Sequence, residues 1–164
     1  MLKWLWLSGL VIALDLASKA VMSHYLVLNE PLAIFPGFNL TLRHNTGAAF
    51  SFLRDASGWQ RWFFTLIAVA VSAGIVVWLR RLGSGQRWLA AALALILGGA
   101  LGNVWDRVTL GYVVDFIEVY YRDWYWPAFN VADSAICVGA GILVADSLFN
   151  ERKHGANSRT GESA

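Results

Sequence analysis

Two acids in an otherwise apolar chain have the surroundings that chemistry would need. Asp115 stands in Val113-Val114-Asp115-Phe116, and Asp133 in Phe129-Asn130-Val131-Ala132-Asp133-Ser134-Ala135. Each lies at the edge of a stretch that reads as membrane-spanning, where an ionised carboxylate loses much of its hydration. An acid at such a depth is expensive and marks a functional site by default. Brought together, two acids share a proton, because neighbouring like charges raise one pKa and leave an acid beside a base. Asp133 falls about three residues into a predicted helix, where the dipole and free N–H groups favour a carboxylate. Asp115, in a predicted strand, lacks that help. The expectation is a coupled pair in which Asp133 carries the charge and Asp115 holds the proton.

Further polar residues fall near the same level: Asn45, Asn103, Arg107 and Asn130, from four separate stretches. An Asn both donates and accepts, so it can fix a peptide backbone without adding charge. Arg107 can hold a carbonyl or a lipid phosphate. For each Asn the competing role is a cap or a loop bond, and for Asn130, at a helix start after Pro127, capping weighs as much as binding. Other chemistries fit less well. His24, His44 and His154 are scattered, which argues against haem or zinc. No Gly-rich phosphate loop is present. Ser18 and Lys19 are adjacent on a helix and point about 100° apart, so Asp15, at i−4, is the better partner for the lysine. The single Cys137 reads as a small buried apolar residue.

These residues must be positioned by helices in a membrane. Hydrophobic residues make up 57% of the 164 and charged residues only 15%, against about 25% in a soluble domain. The mean hydropathy is +0.51. A net charge of +2 with no basic stripe argues against nucleic acid. Four apolar segments emerge, at about Trp4–Met22, Trp62–Leu79, Trp88–Trp105 and Asn130–Phe149. The second and third are free of charge over 18 residues each, a span of roughly 27 Å. The first carries an Asp15–Lys19 pair suited to lock it into a bundle, and no small-x-small cleavage site follows, so it reads as a retained helix. Gly98-x-x-x-Gly102 in the third would let another helix approach closely.

Lys3, Arg80, Arg81, Arg87, Arg152 and Lys153 fall on one side if the helices alternate, which favours both termini inside. Segments 23–61 and 106–129 then face outward. Residues 25–45, with Pro31, Pro36 and Gly37, suggest short strands and turns, and Val113–Tyr121 reads as a strand turned back by Arg122-Asp123. The expected fold is an all-α membrane bundle of four transmembrane helices with a small periplasmic β platform. It forms one domain over residues 1–150, followed by a disordered cytoplasmic tail over 151–164.

Five motifs taken together resemble the bacterial lipoprotein signal peptidases (signal peptidase II). They are Asp15-Leu16-Ala17-Ser18-Lys19, Asn45-Thr46-Gly47-Ala48-Ala49-Phe50, Gly102-Asn103…Asp106-Arg107, Val113-Val114-Asp115-Phe116 and Phe129 to Ala135. The match covers roughly residues 4–149 with motif order and spacing intact. The resemblance implies a monomeric aspartic endopeptidase of the bacterial inner membrane that needs no metal or cofactor. Its substrate would be a diacylglyceryl-modified prolipoprotein, cut just before the lipidated cysteine, with membrane lipids as its surroundings. Asp115 and Asp133 would be catalytic, and Asn45, Gly47, Asn103, Arg107 and Asn130 would line the substrate site. The alternative from another class is a small ion-coupled transporter using membrane acids as proton carriers. Such a protein would place its acids near mid-membrane rather than at one face.

Overall fold

The computed structural model describes the backbone of residues 1–47 and 58–160 and the side chains of 1–47 and 58–148. Ala48, Ala49 and Phe50 of the second motif lie outside the described residues. Four helices follow the four apolar segments: α1 Leu5–Tyr25, α2 Trp59–Arg81, α3 Arg87–Thr109 and α4 Val131–Thr160. Leu2–Trp4 adds a 3-10 turn ahead of α1. Each helix includes a stretch long and apolar enough to cross a membrane, the last over Val131–Leu148. The helices overrun the charge-free runs because Arg61, Arg80 and Arg81 fall at their ends, where a long side chain can reach polar surroundings while its stem stays apolar. α4 continues through Thr160, ten residues into the stretch read from composition as a tail, and residues 161–164 lie outside those described.

α3 is the central helix. Of its apolar window 56% is buried within the fold, against 17–22% for the others. Lipid tails are as apolar as leucine, so helix association here rests on close packing rather than on escape from water. The glycines of α3 provide that closeness. A Cβ on Gly98 would meet the Ser8 carbonyl oxygen of α1 at 2.8 Å, and one on Gly102 would meet Asp15 Oδ2 at 2.6 Å. Gly98-x-x-x-Gly102 thus seats α1, as its spacing suggested. Gly99 faces the Ala132 carbonyl of α4 instead. At the other end of the bundle Ile75 and Leu79 of α2 pack on Ala90, Leu93 and Leu97 of α3.

Cys137 is exposed and not buried as its type suggested. In a spanning helix the outer face is itself apolar, so a small apolar residue has no need of the interior.

A four-stranded antiparallel sheet accompanies the bundle, in the order β1 Pro31–Phe35, β2 Phe38–Asn45, β3 Val113–Tyr121 and β4 Trp124–Tyr125. Pro36-Gly37 closes the first hairpin, with Gly37 at φ 91°, where the proline fixes one turn residue and the glycine adopts the left-handed one. Arg122-Asp123 turns β3 into β4, as expected, with Arg122 at φ 54°. The register of β2 on β3 shifts between Leu40 and Arg43, which sets Arg43 opposite Asp115 and Asn45 opposite Val113. That shift decides which β2 side chains reach the acid, and single-strand alternation does not reveal it.

Candidate active site

The approach to α4 brings the two acids together. Phe129 pairs with Ile117 of β3: its N–H donates to the Ile117 carbonyl at 3.0 Å, and its own carbonyl accepts from Ile117 N at 2.8 Å. This pins the segment before α4 to the strand that carries Asp115. Asn130 and Asp133 then start the helix with reciprocal capping bonds. The Asp133 N–H donates to Asn130 Oδ1 at 2.9 Å, and the Asn130 N–H donates to Asp133 Oδ2 at 3.3 Å. This is a capping box with a carboxylate at its third helical position. The fully buried Asn130 thus caps α4 and at the same time donates to Asp115.

Amides surround both carboxylates. Asp115, only 2% exposed, accepts from Asn130 Nδ2 on Oδ1 at 2.7 Å and from Asn45 Nδ2 on Oδ2 at 2.9 Å. Asp133 accepts from Asn103 Nδ2 on Oδ1 at 2.8 Å. Burial pushes the Asp115 carboxyl up to about 7. The charge of Asp133 adds to the rise, while the bonds from Asn45 and Asn130 and the charge of Lys19 oppose it. An acid so placed can keep its proton near neutral pH and donate it.

Each amide is oriented in turn. The Gly47 N–H donates to Asn45 Oδ1 at 2.9 Å, which leaves Asn45 Nδ2 to face Asp115. Gly47 has φ 112° and a Cβ there would lie 2.9 Å from the Phe64 ring, so both conformation and space require glycine. Asn103 Oδ1 accepts from Lys19 Nζ at 2.9 Å and from Asn130 Nδ2 at 3.1 Å. With its oxygen held by two donors, its NH₂ must point at Asp133.

Behind the amides lies a buried ionic cluster whose full extent was not visible in the motifs. Lys19 Nζ reaches Asp15 Oδ2 at 2.7 Å, the i, i+4 pair expected from spacing, and also Asp106 Oδ2 at 2.9 Å. Its three N–H donors are thus matched by two carboxylates and Asn103. The acids continue outward to backbone: Asp15 Oδ1 accepts from Ala132 N at 2.9 Å, and Asp106 Oδ2 from Val114 N at 3.1 Å. Each carboxylate therefore holds the residue next to one member of the pair. The signal available for Asp106 was its i+3 relation to Asn103, which puts both on one face of α3.

A cleft of about 350 Å³ opens beside this cluster, lined among others by Asn45, Gly47, Phe64, Arg107, Phe129 and Asp133. Arg107 lies in the last turn of α3, where a cation suits the dipole. Its Nη1 donates to the Asn103 carbonyl at 3.4 Å, and its guanidinium lies over the Phe64 ring at 5.8 Å. All seven residues singled out from the sequence thus meet in one neighbourhood. Asn45, Gly47, Arg107 and Asp133 line the cleft, whereas Asp115, Asn103 and Asn130 sit behind it. Among the described residues no three His, Cys, Asp or Glu side chains converge as metal ligands. The arrangement can hold one carboxyl protonated beside another that accepts hydrogen bonds, at the wall of a cleft large enough for a short stretch of peptide.

Two solved bacterial membrane enzyme structures, at 2.3 and 1.9 Å resolution, share this fold, with TM-scores of 0.81 and 0.79 at 26% identity. The matches cover 92% and 90% of this chain and 90% and 94% of theirs. Together with the four spanning-length helices they define the class: a multi-pass bacterial membrane enzyme. The family model described as Signal peptidase (SPase) II matches residues 7–149. The lipoprotein signal peptidase of Pseudomonas fluorescens (strain Pf0-1) is 58% identical over 156 residues, 94% of this chain and 91% of that protein. That of Pseudomonas aeruginosa (strain PAO1) is 57% identical over 94% of this chain and 92% of its own length. The chain belongs to the signal peptidase II family, whose members are proteases. These findings lend no support to the transporter alternative.

Proposed function

We propose that this chain is an aspartic endopeptidase that removes the signal peptide from diacylglyceryl-modified prolipoproteins, cutting N-terminal to the lipidated cysteine. The observation that carries the aspartic assignment is the contrast between the two acids. Asp115 is buried, with its carboxyl raised to about 7, while Asp133 lines the cleft at a helix start and accepts from Asn103 and the Asn130 N–H. In the proposed reaction the Asp133 carboxylate takes a proton from a water, and that water attacks the scissile carbonyl carbon. Asp115 donates its proton to the carbonyl oxygen as the tetrahedral intermediate forms. Collapse of the intermediate breaks the C–N bond, the proton on Asp133 passes to the leaving amine, and Asp115 recovers its own. Asn45 and Arg107, at the cleft wall, hold the substrate backbone. Asn103, Asn130 and Gly47 act through the groups they orient.

The proposed setting follows from charge and aromatic placement. Lys3, Arg80, Arg81 and Arg87 gather at one end of the bundle, which we assign to the cytoplasm with both termini. The acid pair and sheet lie at the other end and face the periplasm. Exposed Trp6, Trp78 and Trp88 mark the first level, and Trp59, Trp62, Trp105, Trp124 and Trp126 the second, as expected of two interfacial belts. Residues 1–150 form the working unit, a monomer, with 151–164 as a cytoplasmic tail.

The test is parallel cleavage of lipidated and unlipidated prolipoprotein by the purified enzyme in one detergent. Burying an acyl chain is worth about 0.8 kcal/mol per CH₂, enough to set the register of the scissile bond from a distance. Loss of that remote binding energy lowers turnover as well as affinity. Equal rates on the two substrates would favour a membrane protease indifferent to the lipid.

A further inference from the structure

A second concavity lies at the opposite end of the bundle from the acid pair. α1 and α2 both rest on α3 and leave between them a groove of about 740 Å³. Gly9 and Ile12 form one wall, Val69 and Val76 the other, and Leu97 part of the floor, with Arg80 at one end. From Val69 to Arg80 is eleven residues of helix, about 16 Å at 1.5 Å per residue. That matches one leaflet of hydrocarbon, about half of a ~30 Å core. Arg80 takes part in none of the ion pairs among the described residues, and Arg81 follows it at the end of α2. An apolar channel one leaflet long that ends on a guanidinium with no ion-pair partner among the described residues has the shape to hold a lipid and the charge to complement its phosphate.

We propose that the α1–α2 groove binds an anionic phospholipid, with an acyl chain along Gly9, Ile12, Val69 and Val76 and the phosphate on Arg80. Guanidinium and phosphate match in charge and in hydrogen-bond geometry. A basic residue at the end of a groove between spanning helices is a physical basis for selecting anionic headgroups. A second transmembrane helix is the rival occupant, and the buried Ser72 hydroxyl in this groove, which has no partner among the described residues, would serve it. The leaflet-length match and the Arg80 guanidinium at the end of the groove favour the lipid.

The test is native mass spectrometry of the purified, delipidated full chain titrated with phosphatidylglycerol, and with phosphatidylcholine of the same acyl chains. Phosphatidylglycerol should bind the more tightly. Arg80→Gln should weaken it about fivefold, the worth of one basic contact, and bring it level with phosphatidylcholine. Gly9→Leu should weaken both lipids, since a Cβ at Gly9 meets nothing within 4 Å and the new side chain fills the groove without forcing the helices apart. Arg87→Gln, at the same end but outside the groove, should change neither. The proposal is overturned if Arg80→Gln binds like the parent or if Arg87→Gln loses as much. It is equally overturned if inorganic phosphate alone displaces the bound species whatever the chain length. Phosphatidylglycerol binding untouched by Gly9→Leu would also overturn it and would point to helix docking through Ser72.

Discussion

Asn130 joins the two acids with a single amide: its Nδ2 donates to Asp115 Oδ1 at 2.7 Å, and its Oδ1 accepts from the Asp133 N–H at 2.9 Å. The cap that starts α4 is therefore also the part that sets one carboxyl relative to the other. Asn130→Ala should remove both functions. Loss of the cap costs about 1 kcal/mol of stability, and a misplaced pair about 10²-fold in turnover. Comparing kcat for the folded fraction with the thermal midpoint separates the two. Near-parent kcat in a merely less stable protein would reduce Asn130 to a helix cap.

Lys19→Met should be among the most damaging changes away from the acid pair. It keeps the apolar stem but strands Asp15, fully buried, and Asp106, only 2% exposed. Breaking a buried ion pair from one side costs about 3–5 kcal/mol. Arg43→Met is the contrast: its side chain is 42% exposed and lies 3.8 Å from Glu118, so it should cost no more than about 1 kcal/mol. Unfolding midpoints in one detergent check the difference.

Gly99→Ala should lower stability and cleavage together. Its Cβ would collide with the Ala132 carbonyl oxygen and lie 2.8 Å from Ile136 Cγ1, and backbone cannot step aside as a side chain can. Relief requires α4 to move, carrying Asp133 with it, at a cost of about 1–3 kcal/mol. Gly74→Ala, whose Cβ meets nothing within 4 Å, should be neutral or slightly stabilising. Folded yield and specific activity of the two variants make the comparison.

Asp115 also sets a pH dependence. Its carboxyl is raised from 3.8 to about 7, so between those values the folded protein holds a proton that the unfolded chain has released. Stability should fall as pH rises from about 4 to about 7 and level off beyond. Asp115→Asn should flatten that slope. The cleavage rate should likewise fall as pH rises through about 7, where Asp115 ionises. A rate that climbs through the same range would reverse the assignment of acid and base.

The spans, the hairpin turn at Arg122-Asp123 and the acid pair were legible because each rests on a local pattern: charge-free runs, turn residues, isolated acids. What was not legible depends on contacts between distant segments. Lys19 announced only its i, i+4 partner, while its bonds to Asn103 and Asp106 exist because Gly98 and Gly102 let α1 press against α3. Glu118, in the segment expected to face outward, is buried and accepts from Asn39 Nδ2 at 2.9 Å, its partner across the sheet. The register shift between Leu40 and Arg43 likewise has no signal within β2 alone. Cys137 is exposed despite its type because burial follows apolarity only where the solvent is water.

The pairing of Asp115 with Asp133 is tested most directly by cleavage of a lipidated prolipoprotein by Asp115→Asn, Asp133→Asn and the double variant, each verified as folded and inserted. Asn matches the volume but cannot exchange the proton. Because the pair acts as a unit, either single change should cost on the order of what both cost together. Near-parent turnover by either single variant, or losses that multiply in the double, would contradict the account.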